Sequence, residues 1–250
     1  MYPELIHIGS FTVYSWGLML AIAVIISIIG VQKYFANAGL PKEWALDLVI
    51  ILTVGGVAGA RLFYMLLYQR DVLLHNPAQL FAFWQSFSGL VWYGGVAGAL
   101  IPFIIYLKFK KLSFFKATDI LAPFIALSYA IVRIGCFMAG CCYGEKTISH
   151  WGVIFPVVDN SFRYPTQLYS SALNFLLFFL LVWLYPRRKF DGQVFIIYLL
   201  GYSVYRFIIE FYRDNLITFG AFSLGHIVTF ILFVMGIGLY YYFGRRARGL

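Results

Sequence analysis

Charged residues are scarce in this 250-residue chain: Asp, Glu, Lys and Arg together make up 12%, and only ten positions are acidic. A soluble domain carries about twice that fraction. With 62% hydrophobic residues, 20% aromatics and a mean hydropathy of +0.83, a water-soluble fold is excluded and an integral membrane protein is expected. The start, MYPELIHIGSF, lacks a basic segment, and the first apolar stretch exceeds the roughly 7–15 residues of a signal-peptide core, so it reads as an uncleaved first helix. Cysteine is also sparse. Cys136, Cys141 and Cys142 form no CxxC pair, and His7, His75, His150 and His226 are scattered, so no metal site and no cofactor is expected. Without an internal repeat, a low-complexity segment or a long hydrophilic region, residues 1–250 read as a single transmembrane domain.

Apolar runs dominate the rest. From Ile8 to Val31 there is no Asp, Glu, Lys or Arg, and about 20 apolar residues suffice to cross the hydrocarbon core as a helix. Seven such spans are expected, at residues 11–31, 44–67, 89–107, 117–138, 167–185, 192–212 and 221–243, giving an all-α polytopic membrane protein. The basic residues between spans fall mainly on one side: Lys33, Lys42, Lys108, Lys110, Lys111, Lys116, Arg187, Arg188, Lys189, Arg245, Arg246 and Arg248, against Arg70, Lys146, Arg163 and Arg213 on the other. The positive-inside rule then places the N-terminus outside and the C-terminus in the cytoplasm. Insertion and attraction to anionic membrane lipids account for the net charge of +9, and no nucleic-acid partner is expected. The longest non-helical stretch, residues 139–166, is expected to form a small extracytoplasmic cap.

Three arginines lie inside the spans: Arg61 in GARLFYMLLY, Arg133 in SYAIVRIGCFMAGCCYG and Arg206 in GYSVYRFIIEFYR. An arginine near the bilayer centre costs roughly 3 kcal/mol on insertion scales, and an intramembrane charge is a functional-site hypothesis by default. Three together point to a bound anion. Arg206, Glu210 and Arg213 are spaced by four and three and share a helix face, with Tyr202 on the same stripe; the acid fixes the arginines while leaving positive charge for a ligand. An ordinary salt-bridged helix end reads from the same spacing. After Arg133, the glycines of GCFMAGCCYG, Gly140 among them, permit sharp turns and close approach of backbone N–H groups to a phosphate, or simply close helix packing. Tyr93 beside Gly94 and Gly95 is either an interfacial aromatic or a substrate contact. Asp119, beside the lysine cluster, reads as a structural cap rather than a base.

Taken in order along the chain, these motifs resemble the prolipoprotein diacylglyceryl transferase family. The most specific matches are Arg133, Gly135, Phe137, Gly140 and Gly144, and the GYxxxRxxxEFxR pattern at Gly201, Tyr202, Arg206, Glu210, Phe211 and Arg213. GARLFYMLLY around Arg61, DILAP around Asp119, WYGG around Gly94, and YPTQLY around Gln167 and Tyr169 support them. The resemblance covers essentially the whole chain and implies seven helices in a bacterial cytoplasmic membrane. It implies transfer of the diacylglyceryl group of phosphatidylglycerol to the lipobox cysteine of a prolipoprotein signal peptide, with glycerol phosphate released. Arg133 and Arg206 would be the essential pair, Tyr93 a further catalytic position, and Tyr202, Glu210, Arg213, Arg61, Gly94, Gly95, Gly140 and Gln167 substrate contacts.

The chain departs from the family pattern at several positions. Tyr93 stands where many members have a histidine, Cys136 where the signature has an asparagine, Cys141 at an acidic position, Trp16 at a tyrosine and Ser170 at a glutamate. An ordinary phenol is a poor base at neutral pH, which leaves an arginine lowering the thiol pKa of the bound peptide as the favoured route to the thiolate. A divergent member that uses another acceptor or no longer transfers, and an anion or lipid transporter, are the competing readings. Absence of an internal repeat weighs against the transporter.

Overall fold

In hydrocarbon every backbone polar group must be satisfied within the chain, and the apolar runs accordingly become helices. The computed structural model describes residues 1–9, 11–76, 91–214, 218–219 and 222–247. Its helices are Ser15–Asn37 (α1), Lys42–Tyr68 (α2), Arg70–His75 (α3), Trp92–Phe109 (α4), Phe114–Ala139 (α5), Thr166–Leu184 (α6), Gln193–Glu210 (α7) and Leu224–Ala247 (α8). Among the described residues, α1, α2, α5, α6, α7 and α8 are long and apolar enough to cross a membrane, and α4 contributes a shorter apolar segment. The chain is a multi-pass helical membrane protein.

Three short antiparallel hairpins modify the all-α expectation: Glu4–Ile8 (β1) with Phe11–Tyr14 (β2), Val153–Ile154 (β3) with Phe162–Arg163 (β4), and Thr218–Phe219 (β5) with Phe222–Ser223 (β6). The first corrects a boundary. Residues 11–14 are β-paired, so α1 starts at Ser15 and runs on to Asn37. The expected span starts at 89 and 221 lie outside the described residues, as does Arg248. The stretch expected as a cap contains β3 and β4 between the end of α5 and the start of α6.

The chain forms two compact units, Met1–Ser27 with Phe115–Leu250, and Ile28–Phe114. In the first, α5 is the most enclosed helix: 56% of its most apolar window is buried, against 11% for α8. Ala122 and Ala126 of α5 pack with Leu177 and Leu181 of α6 and with Val194, Tyr205 and Ile209 of α7. Gly135 lets α5 lie directly on α1, since a Cβ there would stand 2.9 Å from Met19 Cβ and 3.1 Å from Trp16 Cα. Asp119 is the cap that its position suggested. Its carboxylate accepts hydrogen bonds from the backbone N–H groups of Gly192 (2.8 Å) and Phe195 (2.9 Å) at the start of α7, satisfying donors that a helix N-terminus otherwise leaves open.

In the second unit, α2 and α4 meet through small residues. A Cβ on Gly98 would lie 2.4 Å from the Gly55 carbonyl oxygen and 2.7 Å from Gly59 Cα, and one on Gly94 would lie 2.4 Å from Phe63 Cβ. Gly55 and Gly59 on α2, with Gly94 and Gly98 on α4, form two GxxxG faces that let the backbones approach. Of the two glycines expected as substrate contacts, Gly94 faces Gly59 and Phe63, and Gly95 faces Gly56 and Ala60. Gly98→Val is expected to cost about 1–3 kcal/mol by overpacking and to lower the thermal midpoint in detergent. Gly238→Ala, with open space around it, serves as the control that does not lower it.

Candidate functional site

One end of the first unit collects the polar side chains that the apolar helices carry. Here α5 ends, α6 begins, α7 ends and α8 begins, so four helix termini converge. Arg206 on α7 pairs with Glu210 one turn later, Nη2 to Oε2 at 2.7 Å, with both side chains largely enclosed at 14% and 4% exposed. The Glu210 Oε1 accepts a hydrogen bond from Ser223 Oγ at 2.8 Å, and the Ser223 backbone N–H donates to His226 Nδ1 at 3.0 Å. A glycine at 225 makes room for this carboxylate, because a Cβ there would stand 2.2 Å from Glu210 Oε1.

Arg133 approaches from α5. Its Nη2 donates to the Tyr129 hydroxyl at 2.5 Å, and its guanidinium carbon lies 4.6 Å from that ring's centroid. The Tyr129 ring meets Tyr202 edge-on at 6.2 Å, and the Tyr202 hydroxyl is hydrogen-bonded with Arg206. A tyrosine thus joins each arginine, and the two tyrosines join each other. Arg213, just past α7, completes the group: its charge acts on Arg206 and Arg133, and its Nε is buried without a hydrogen-bond partner. Burial, then repulsion from Arg206, holds its pKa below the ordinary arginine value. Among the described residues Arg206 pairs with Glu210, while Arg213 and Arg133 repel, so a phosphate bound there would relieve repulsion and accept charge-assisted hydrogen bonds.

The loop beside Arg133 is shaped by backbone geometry. Gly140, at φ +73°, ends α5 with its N–H donated to the Phe137 carbonyl (3.1 Å), while the Cys141 N–H bonds the Cys136 carbonyl (3.1 Å); the pair of bonds is a Schellman cap. Cys142 is also left-handed, at φ +61°, an uncommon conformation for a non-glycine residue. The first residues of α6 then fix the turn. Thr166 Oγ1 donates to the Cys142 carbonyl at 3.0 Å, and Gln167 Nε2 donates to the Cys141 carbonyl at 2.7 Å. Gln167, 1% exposed, thereby holds the turn. Gly140 is likewise buried and required by the backbone.

Gly144 threads between two neighbouring segments, bonding Tyr164 on one side and bridging to Arg213 on the other. Arg163 secures this cap with ion pairs to Asp159 (2.8 Å) and Asp214 (3.2 Å), a hydrogen bond to the Gly144 carbonyl (3.4 Å) and a stack over Tyr143 at 4.8 Å.

The first unit thus brings together Arg133, Tyr202, Arg206, Glu210 and Arg213, with Gly140 and Gln167 holding the adjoining turn. The second unit carries the remaining candidates. There Arg61 lies over the Tyr64 ring at 5.7 Å, and Tyr93, 49% exposed, occupies the first turn of α4. Sequence reasoning passed over Tyr129, although a signal was present: Tyr129–Arg133 repeats the i,i+4 spacing of Tyr202–Arg206. It also passed over Ser223 and the proximity of the three cysteine sulfurs, all within 4.8 Å of one another, which their spacing of five and one did not suggest.

The chain is thus a multi-pass helical membrane protein with an enclosed arginine cluster at converging helix ends. The profile of the prolipoprotein diacylglyceryl transferase family matches residues 3–242, and the chain belongs to that family. Among its relatives are proteins named phosphatidylglycerol–prolipoprotein diacylglyceryl transferase from Clostridium tetani, 33% identical over 219 residues (86% of each chain), and Methylobacillus flagellatus, 32% over 232 residues (89% of this chain, 87% of the relative). The Bordetella parapertussis relative of the same name is 31% identical over 252 residues, 97% of this chain and 95% of its own.

The cap yields a pH prediction. Hydrogen bonds from Arg163, then from the Ser161 backbone N–H, hold the Asp159 carboxyl well below the ordinary carboxylate range. For an acid whose pKa falls on folding, the stabilisation is complete above the unfolded value near 4 and is lost as pH drops toward the folded value. Amide exchange of residues 144–165, corrected for its intrinsic pH dependence, should be slow and flat above about pH 4 and quicken below it. Asp159→Asn should exchange fast at every pH.

Proposed function

We propose that this protein transfers the diacylglyceryl group of phosphatidylglycerol to the lipobox cysteine thiol of prolipoproteins, the first step of lipoprotein maturation. The observation that carries this reading is the cluster of Arg133, Arg206 and Arg213 around a single carboxylate, in a chain whose named relatives are such transferases over nearly its whole length. In the reaction a sulfur–carbon bond forms at the glyceryl carbon while the carbon–oxygen bond to phosphate breaks. The oxygen keeps the electron pair and leaves as glycerol phosphate.

Charge therefore builds on the phosphate as the bond breaks, and preorganised donors aimed at developing charge act most strongly where water is excluded. Arg133 and Arg206 take this role, each fixed beforehand by a tyrosine and, for Arg206, by Glu210. Tyr202 orients the phosphate through Arg206, and Arg213, with its unpartnered buried Nε, receives the third oxygen. Arg61 and Tyr93 remain the further candidate contacts for the lipid or the peptide.

The same reading gives the topology. Helices α1, α2, α4, α5, α6, α7 and α8 make seven crossings, with the N-terminus and the arginine cluster toward the outer face and the C-terminus cytoplasmic. The excess of Lys and Arg at the opposite ends supports this orientation. The membrane is the bacterial cytoplasmic membrane, where phosphatidylglycerol and the signal peptides of prolipoproteins meet. The lipid enters between helices, and the modified protein leaves into the bilayer.

Mass spectrometry of a lipobox peptide incubated with purified protein and phosphatidylglycerol should register one diacylglyceryl group added. Arg133→Ala and Arg206→Ala should each lower the rate by about 100-fold or more, and the lysine variants should remain impaired because a point charge does not replace a planar fork. An unmodified peptide under conditions of demonstrated lipid binding would reject the transferase. Gly225→Ala, which pushes a methyl into the Glu210 carboxylate, should reduce transfer at least tenfold while folding is retained, since the displaced atoms belong to a flexible side chain.

A further inference from the structure

The three cysteines form the one group of at least three His, Cys, Asp or Glu side chains, among the described residues, whose ligand atoms converge. Their sulfurs lie within 4.8 Å of one another and are unlinked by disulfides. Tetrahedral zinc thiolates, with Zn–S near 2.3 Å, place sulfurs about 3.8 Å apart, so small side-chain rotations close the set. The backbone is already committed to this grouping. The Schellman cap brings Cys141 back over Cys136, the left-handed conformation of Cys142 turns its side chain to the same place, and Thr166 and Gln167 clamp both carbonyls. Left-handed backbone at a non-glycine residue costs roughly 1–2 kcal/mol and persists where the surroundings over-determine it, often at functional sites.

We propose that Cys136, Cys141 and Cys142 bind a thiophilic d10 cation of the Zn2+ type as three thiolates, and that the fourth position takes the thiol of the peptide substrate. Cys136 is buried, whereas Cys141 and Cys142 are exposed, which leaves one side of the set open, as in catalytic zinc sites with three protein ligands. Electrostatics agree. Three thiolates and Zn2+ carry a net charge of about −1, and a fourth thiolate makes it about −2; the guanidiniums of Arg133 and Arg213, which act on Cys142, offset that charge.

This proposal rests on the transferase reading and supplies what that reading lacks, a means of ionising the acceptor. A coordinated thiol is deprotonated outright, its proton passing to solvent on binding, so no general base is required. The metal-bound sulfur attacks the glyceryl carbon, the carbon–oxygen bond breaks toward phosphate, and the resulting thioether, neutral and a weaker ligand, departs. No oxidation or reduction occurs, and Arg133 and Arg213, which balance the thiolates, also face the departing phosphate.

Metal-free protein titrated with Co2+ under anaerobic, reducing conditions tests the site directly. A thiolate-to-cobalt charge-transfer absorption should saturate at one ion per chain and be displaced by Zn2+. The exposed variants Cys141→Ser and Cys142→Ser, checked for monodispersity, should weaken binding at least tenfold each, and Cys136→Ala likewise. A lipobox peptide should alter the cobalt spectrum, while the same peptide with serine for cysteine should not. Absence of the absorption, binding that survives all three substitutions, or two of the thiols found as a reductant-reversible disulfide with no metal uptake would overturn the proposal, as would a spectrum indifferent to the cysteine peptide. Transfer by the metal-free protein at the full rate would overturn it and leave the transferase standing. A cobalt spectrum that responds to the peptide without any transfer would uphold the thiolate site and remove the transferase reading.

Discussion

A guanidinium carried into hydrocarbon must keep its charge, because arginine does not deprotonate in proteins, and partners inside the protein lower its cost of several kcal/mol. The Arg206–Glu210 pair at 2.7 Å is the partner contact around which the rest is arranged. Glu210 draws in Ser223 from the approach to α8, and Gly225 leaves space for its carboxylate. Tyr202 and Tyr129 then link Arg206 to Arg133 across α7 and α5. One acid among three arginines is the decisive number. A carboxylate for each would give a closed salt-bridge network, whereas one carboxylate among the described residues of the cluster leaves an excess of positive charge that the proposed phosphate would offset.

Around that imbalance the backbone is unusually determined. The ends of α5 and α7 are locked by different devices: a Schellman cap with a left-handed glycine at 140, and Asp119 receiving N–H groups at the start of α7. Fixing both helices along their length keeps Arg133 and Arg206 in register without a large hydrophilic domain. The loop that follows α5 gains its order from α6 and Arg163, whose contacts with Asp159, Asp214 and Gly144 pin it over the helix ends. Preorganisation of this kind matters for phosphate chemistry, where donors that need no rearrangement stabilise the transition state most.

Much of the architecture was legible because membrane physics leaves few options. Most runs without charge are helices, and their spans agree with the structure to within four residues at each described end except that of α1, which runs six residues further, to Asn37. The Arg206, Glu210 and Arg213 stripe was readable from helical spacing, and Asp119 from its place near a helix end. Three features were not. The hairpin of β1 and β2 occupies residues whose apolar character alone reads as helix. That Gly94 and Gly95, beside Tyr93, face α2 could not be read along the chain. The cysteines, five and one apart, match no metal spacing, since their convergence depends on two left-handed residues in succession but one.

The sequence by itself determined the solvent, the helical class, the presence of intramembrane cations and the family, because these follow from composition, from the energy of charge in lipid and from motifs in a fixed order. Only the tertiary structure decided which cations share a carboxylate, which glycines pack helices and which shape a turn, and that three thiols meet beside Arg133. Those outcomes depend on distances between segments far apart in the chain, set by packing and by local backbone handedness, for which no pattern along one helix carries a signal.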